Sequence, residues 1–276
     1  MANPYLTNSP HFGKATPQHG AHFQPGGTAT VPQGYQPQFE SVEQAYYAPA
    51  AGPEHTGRMT YEDVIVRTAG LLALVVASAA AAWFLVPPGL RIVALVGGVV
   101  LGLVLGLVNA FKREPSPGLI MAYGLAQGAF LGIISGVFES LYDGIVMQAI
   151  LATFITFGVT LALFRSGKIR VTPKFTKIVI IATISYAVFC LINLVVIWFT
   201  PLGGMFGLRM GGLGLAIGAF AVILAALNLV LDFDMIARGV QSGTPRRYAW
   251  SAAFGLTVTL IWLYVEFLRI LAILRD

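Results

Sequence analysis

Charge is scarce in this chain: Asp, Glu, Lys and Arg make up 11% of its 276 residues, while 57% are hydrophobic. A soluble domain carries about a quarter charged residues, so an ordinary water-exposed globule is excluded. Cysteine is almost absent. The single Cys190 lies in an apolar run and has no partner for an intramolecular disulfide, so it reads as a small packing residue. Histidine is missing from every apolar run. All four histidines (His11, His19, His22, His55) fall in the first 57 residues, at spacings that suit a solvated tail better than a metal site. There is no HExxH, no GxSxG and no phosphate-binding glycine loop, which argues against an enzyme. No cofactor is implied.

What remains is lipid-like sequence. From Val66 onward, continuous apolar runs near the roughly 20 residues needed to cross a bilayer recur to the C-terminus. They do not alternate as barrel strands do. The expected fold is all-α, a polytopic membrane protein of seven transmembrane helices, in two regions. Residues 1–57 hold eight prolines with many glycines and glutamines and no apolar periodicity, and are expected to be a disordered cytoplasmic tail. They lack the features of a signal peptide. Pro and Tyr alternate loosely from Tyr35 to Tyr47, a docking segment for other membrane proteins. Residues 58–276 are the membrane domain.

The helices are expected over 66–86, 91–111, 118–138, 144–164, 177–199, 212–236 and 248–273. The first is stopped by Pro87 and Pro88, the fifth by Pro201. Lys and Arg number ten in the loops after the second, fourth and sixth helices and two (Arg91, Arg209) in the alternate loops. That asymmetry places the basic loops and the N-terminus in the cytoplasm of a cell-membrane protein, and the C-terminus outside unless the last helix is re-entrant. The net charge of +5 therefore speaks for orientation in a bilayer and not for nucleic acid. Glycines recur every fourth position (Gly124, Gly128, Gly132, Gly136; Gly98, Gly102, Gly106; Gly214, Gly218), as suits close helix packing, or else a pore or hinge lined by backbone.

Charges at membrane depth are costly and mark candidate sites. Asp232 and Asp234 end the sixth apolar run, two positions apart and so on roughly opposite sides. That geometry argues against a pair of facing catalytic aspartates. Asp234 lies four before Arg238, an ion-pair spacing. Asp232 is then the inward carboxylate, with Asn228 four before it on the same face. Burial disfavours the charged form of a carboxyl and a nearby cation favours it, so a cation that can move away makes a switch. Arg113, on the same side of the membrane, is the candidate cation. A permanent buried salt bridge is the competing reading. On an aqueous path, an ionised Asp232 would instead hold a hard cation such as calcium through oxygen.

Three stretches carry a family resemblance: "AFKREPSPGLIMAYGLAQGAFLGIISG", "LNLVLDFDMIARG" and "SAAFGLTVTLIWLYVEFLRILAIL". In order and spacing, about residues 59–274 resemble the Bax-inhibitor-motif membrane proteins, in a bacterial branch with a long N-terminal tail. The resemblance implies six helices wrapped around a central seventh. It also implies a pH-sensitive calcium leak linked to protection from cell death, with Ca2+ or H+ as the transported species. It implies a sixth-helix aspartate, matched by Asp232, sharing a proton-sensitive contact with a seventh-helix aspartate, and a second-helix arginine, matched loosely by Arg113, latching one of them.

The second aspartate is absent from this chain. Aligning on "LYVE" puts Glu266 there, and counting back from Leu268 and Arg269 puts Thr259 there. Thr259 lies eleven residues past Tyr248, about 16 Å in, against about 27 Å for Glu266 and about 9 Å for Asp232 from its own helix end. Depth favours Thr259 as the neighbour of Asp232. The competing readings are a Thr259 hydroxyl bonded to its own helix and a Glu266 paired with Arg269. The functions in view are a proton-gated cation leak and, as the alternative, a non-transporting regulator or scaffold that binds other membrane proteins or a protease.

Overall fold

A computed structural model describes residues 57–169, 171–199 and 207–275. The expected tail, apart from Gly57, and its four histidines lie outside these residues, as does Asp276. Seven helices follow one another: α1 Tyr61–Leu85, α2 Arg91–Phe111, α3 Pro117–Leu141, α4 Ile145–Arg165, α5 Pro173–Phe199, α6 Gly211–Gln241 and α7 Ala249–Arg275. Each is long and apolar enough to cross a bilayer, and among the described residues the only strand-like feature is an isolated bridge between Arg58 and Pro245.

The helix ends have local causes. α1 starts five residues earlier than its apolar run, at Tyr61. The Thr60 hydroxyl accepts from the Asp63 N–H while the Asp63 carboxylate accepts from the Thr60 N–H, so the two acidic residues sit inside the first turn. Pro117 opens α3 and Pro173 opens α5. Gly144 precedes α4 at a φ of 77°, a turn only glycine takes without strain. α6 runs five residues beyond Ile236, through both aspartates, to Gln241.

α7 is the axis. Four helices (α1, α3, α4 and α6) pack on it, while α2 lies on α3 and α5 on α6 as an outer layer. Over half of its most apolar stretch is buried, 56%, against 11% for the helix containing α2, so α7 is enclosed by protein where α2 lies largely exposed on the outside. The glycine ladder of α3 is filled by α1. A Cβ on Gly132 would strike the Ala79 backbone and one on Gly128 the Val75 carbonyl, and the Ser78 hydroxyl donates to the Leu125 carbonyl at 2.7 Å across the same seam. These glycines serve close approach of two backbones, and the pore lining that such ladders also permit is not what they form.

Contacts between turns order the two ends. At the end bearing the basic loops, Arg247 of the α6–α7 turn pairs with Glu114 of the α2–α3 turn at 3.2 Å. The Met59 N–H donates to the Thr244 carbonyl and the Arg246 N–H to the Gly57 carbonyl. At the far end, Arg275 closes α7 by donating to the Asp143 carbonyl and to Gln148. α7 therefore runs the full depth of the bundle and does not fold back.

Candidate functional site

Two polar centres lie along α7, one in each half. The first is Asp232. It sits nine residues before the end of α6, about 14 Å in, and Thr259 lies ten residues after the start of α7, about 15 Å in. The Thr259 hydroxyl meets Asp232 Oδ2 at 2.8 Å as donor, and the Gly255 carbonyl of its own helix at 3.1 Å. Both expectations for Thr259 are thus present at once. The carboxylate can reach α7 because position 255 has no side chain, since a Cβ there would stand 3.2 Å from Asp232 Oδ1.

The other residues expected around Asp232 lie elsewhere. Asn228 turns to the α5 side of α6, where its amide donates to the Thr183 hydroxyl and the Leu224 carbonyl, each at 2.8 Å. Arg113 is exposed in the turn after α2 and forms no ion pair among the described residues. Asp234 pairs with Arg238, one turn on, at 2.5 Å, with Arg238 66% exposed. Among the described residues no Lys or Arg pairs with Asp232, and no group of three or more His, Cys, Asp or Glu converges as a metal site. The oxygen that meets the Asp232 carboxylate from α7 is the Thr259 hydroxyl.

The second centre is Glu266, 3% exposed, and Arg269, 4% exposed. They form an ion pair on one face of α7. Tyr186 of α5 donates its hydroxyl to Glu266 Oε1 at 2.5 Å. Arg209, just before α6, directs Nη1 to the Tyr186 hydroxyl at 3.0 Å and to Glu266 at 3.4 Å. Trp262, one turn before Glu266, stacks on the Tyr186 ring at 5.5 Å. Here the α6 glycines make room. A Cβ on Gly214 would strike the Arg209 carbonyl, and one on Gly218 would lie 3.2 Å from Arg269 Nη2. Sequence reasoning named Glu266 and Arg269 but missed Arg209 and Tyr186. The available signal was depth, because Arg209 closes the loop at the end of the molecule toward which Glu266 is displaced.

A third cluster that sequence reasoning missed lies at the basic end. Asp63 accepts from Arg67 at 2.9 Å and from Arg246 Nε at 2.7 Å.

A bundle of seven apolar helices about a polar-centred axis defines a multi-pass α-helical membrane protein. The chain matches the family model described as Bax inhibitor 1 like over residues 3–276, and it belongs to that family. No curated protein matches it.

Proposed function

We propose that this chain is a pH-sensitive calcium leak of the cell membrane, gated by protonation of Asp232, with its basic loops in the cytoplasm. The observation that carries the proposal is an α6 carboxylate that meets the central helix through a hydroxyl and not through a cation. An ionised carboxylate held between helices without a positive partner is stabilised only by hydrogen bonds and any water that reaches it. Proton uptake removes the charge. The neutral carboxyl can then donate to the Thr259 oxygen, while the Thr259 hydroxyl keeps its bond to the Gly255 carbonyl. The α6–α7 seam thus has two hydrogen-bonding states, and a proton selects between them.

A carboxylate that meets a hydroxyl and no cation suits passage. A conducting site must bind a cation weakly enough to release it. Asp232 with the Thr259 hydroxyl and the Gly255 carbonyl offers a station for calcium in transit and no cage to retain it. The proposal contains no enzymatic step, since Asp234 is engaged by Arg238 and does not face Asp232.

The test is calcium flux through the full chain in liposomes between about pH 5 and pH 8, a span in which a desolvated carboxyl changes state. The wild type is expected to pass calcium with a rate that follows pH, and Asp232→Asn to flatten that dependence. Equal pH profiles for the two proteins would remove Asp232 as the gate. Absence of flux from the wild type at every pH would replace the leak by the non-transporting regulator, whose partner would be sought by co-purification with and without residues 1–57.

A further inference from the structure

The Glu266 centre holds more positive charge than it neutralises. Two guanidinium groups, Arg209 and Arg269, meet one carboxylate. Tyr186 donates a hydrogen bond to Glu266 and so stands there as a neutral phenol. With Glu266 ionised the cluster carries one excess positive charge, and with Glu266 neutral it carries two.

The hydrogen bonds leave the same imbalance. Arg269 Nε and Nη1 and Arg209 Nε are buried and have no hydrogen-bond partner among the described residues. Arg269 is 4% exposed, so lipid headgroups and bulk water do not reach it from outside. Guanidinium nitrogens only donate, and buried donors in native proteins are nearly always satisfied by protein, water or an ion. The described residues have little to offer them. Cys190 Sγ lies 3.7 Å from Arg209 Nη1, an atom already engaged. The stretch 200–208 that joins α5 to the Arg209 turn contains no Asp or Glu.

We propose that Arg209 and Arg269 together bind a small monovalent anion such as chloride, between α5, α6 and α7. A single negative charge cancels the excess left by the ionised Glu266, whereas a divalent anion would reverse it. The ion must be small, because the cluster is closely packed: Ile270 Cγ1 stands 2.6 Å and Arg269 Nη2 3.2 Å from where a Cβ on Gly218 would lie, so those side chains already fill the place that glycine leaves. Bound there, the anion would accept from the Nε–H groups of Arg269 and Arg209 and tie the Arg209 turn to α7. The site is independent of the role proposed for Asp232, and its ligand is of opposite charge.

The test uses the full chain purified in detergent. Thermal unfolding is followed while chloride or bromide replaces gluconate at constant ionic strength. The unfolding midpoint is expected to climb with halide along a saturable curve, as a ligand of the native state requires. Arg269→Gln should abolish the climb. Glu266→Gln should shift it to about tenfold lower halide, because it removes the competing negative charge. Should Arg269→Gln fail to fold, Glu266→Gln and a bromide-soaked crystal decide the matter, with anomalous density expected within hydrogen-bond reach of Arg269 Nε. Superimposable melts in halide and gluconate, weaker halide response in Glu266→Gln, or only water beside Arg269 would each overturn the anion site.

Discussion

Thr259 of α7 donates its hydroxyl to Asp232 of α6 at 2.8 Å, and Gly255, one turn earlier, leaves the room in which the carboxylate lies. Thr259→Val keeps the shape and removes the donor. The hydroxyl also holds the Gly255 carbonyl, so the stability cost should be modest, about 1 kcal/mol, in the range of hydrogen bonds between membrane helices. Its functional effect should be larger, changing the pH profile of calcium flux in liposomes, while Thr259→Ser retains the wild-type profile. Matching profiles for the valine and serine variants would show that this hydroxyl takes no part in gating.

The helices were legible because their apolar runs end at prolines and basic turns, which is why α2 begins at Arg91 and ends at Phe111 as the pattern alone predicts. The ends that differ do so where charged residues are drawn into a helix by specific partners. Thr60 draws Asp63 into α1, and Arg238 accompanies Asp234 in α6. Residue counting along two antiparallel helices brought Thr259 level with Asp232. It did not pair Arg209 with Glu266, because Arg209 belongs to no periodic segment and meets Glu266 across 57 positions of sequence, and only its depth pointed there. Nor could it see that Asn228 turns toward α5, because a shared helix face 40° wide still borders two neighbours.

The glycine ladder of α3 supplies an internal comparison. At Gly132 an added Cβ would enter the Ala79 backbone, whereas at Gly136 the nearest atom, in the Trp83 ring, is 3.7 Å away. Gly132→Ala should force α1 and α3 apart and cost about 1–3 kcal/mol, as overpacking does. Gly136→Ala should be tolerated, since the contact is ordinary and alanine favours helix by about 1 kcal/mol. Denaturation in detergent should show a lowered midpoint for the first and an unchanged or raised one for the second. Equal losses would mean that the α1–α3 seam is not set by backbone approach at Gly132.

Asp63 joins the start of α1 to the α6–α7 turn, and its two ends of that clasp are unequal. The carboxylate is 7% exposed and serves the Thr60 cap, Arg67 and Arg246, whereas the Arg246 side chain is 54% exposed. Removing the buried member strands a cap and two cations. Asp63→Ala should therefore cost about 3 kcal/mol, a lost helix cap of about 1 kcal/mol added to a broken, partly buried charge network. Removing the exposed member gives its partner back to Thr60 and Arg67, so Arg246→Ala should cost at most about 1 kcal/mol. The backbone bonds from Met59 to Thr244 and from Arg246 to Gly57 do not depend on either side chain and should hold the turn in place in the second variant. Amide exchange at Met59 and Arg246 reports this directly, with protection expected to persist in Arg246→Ala and to fall in Asp63→Ala. Loss of protection in both would mean that the clasp is a single charge pair, with no contribution from the cap or the backbone bridge.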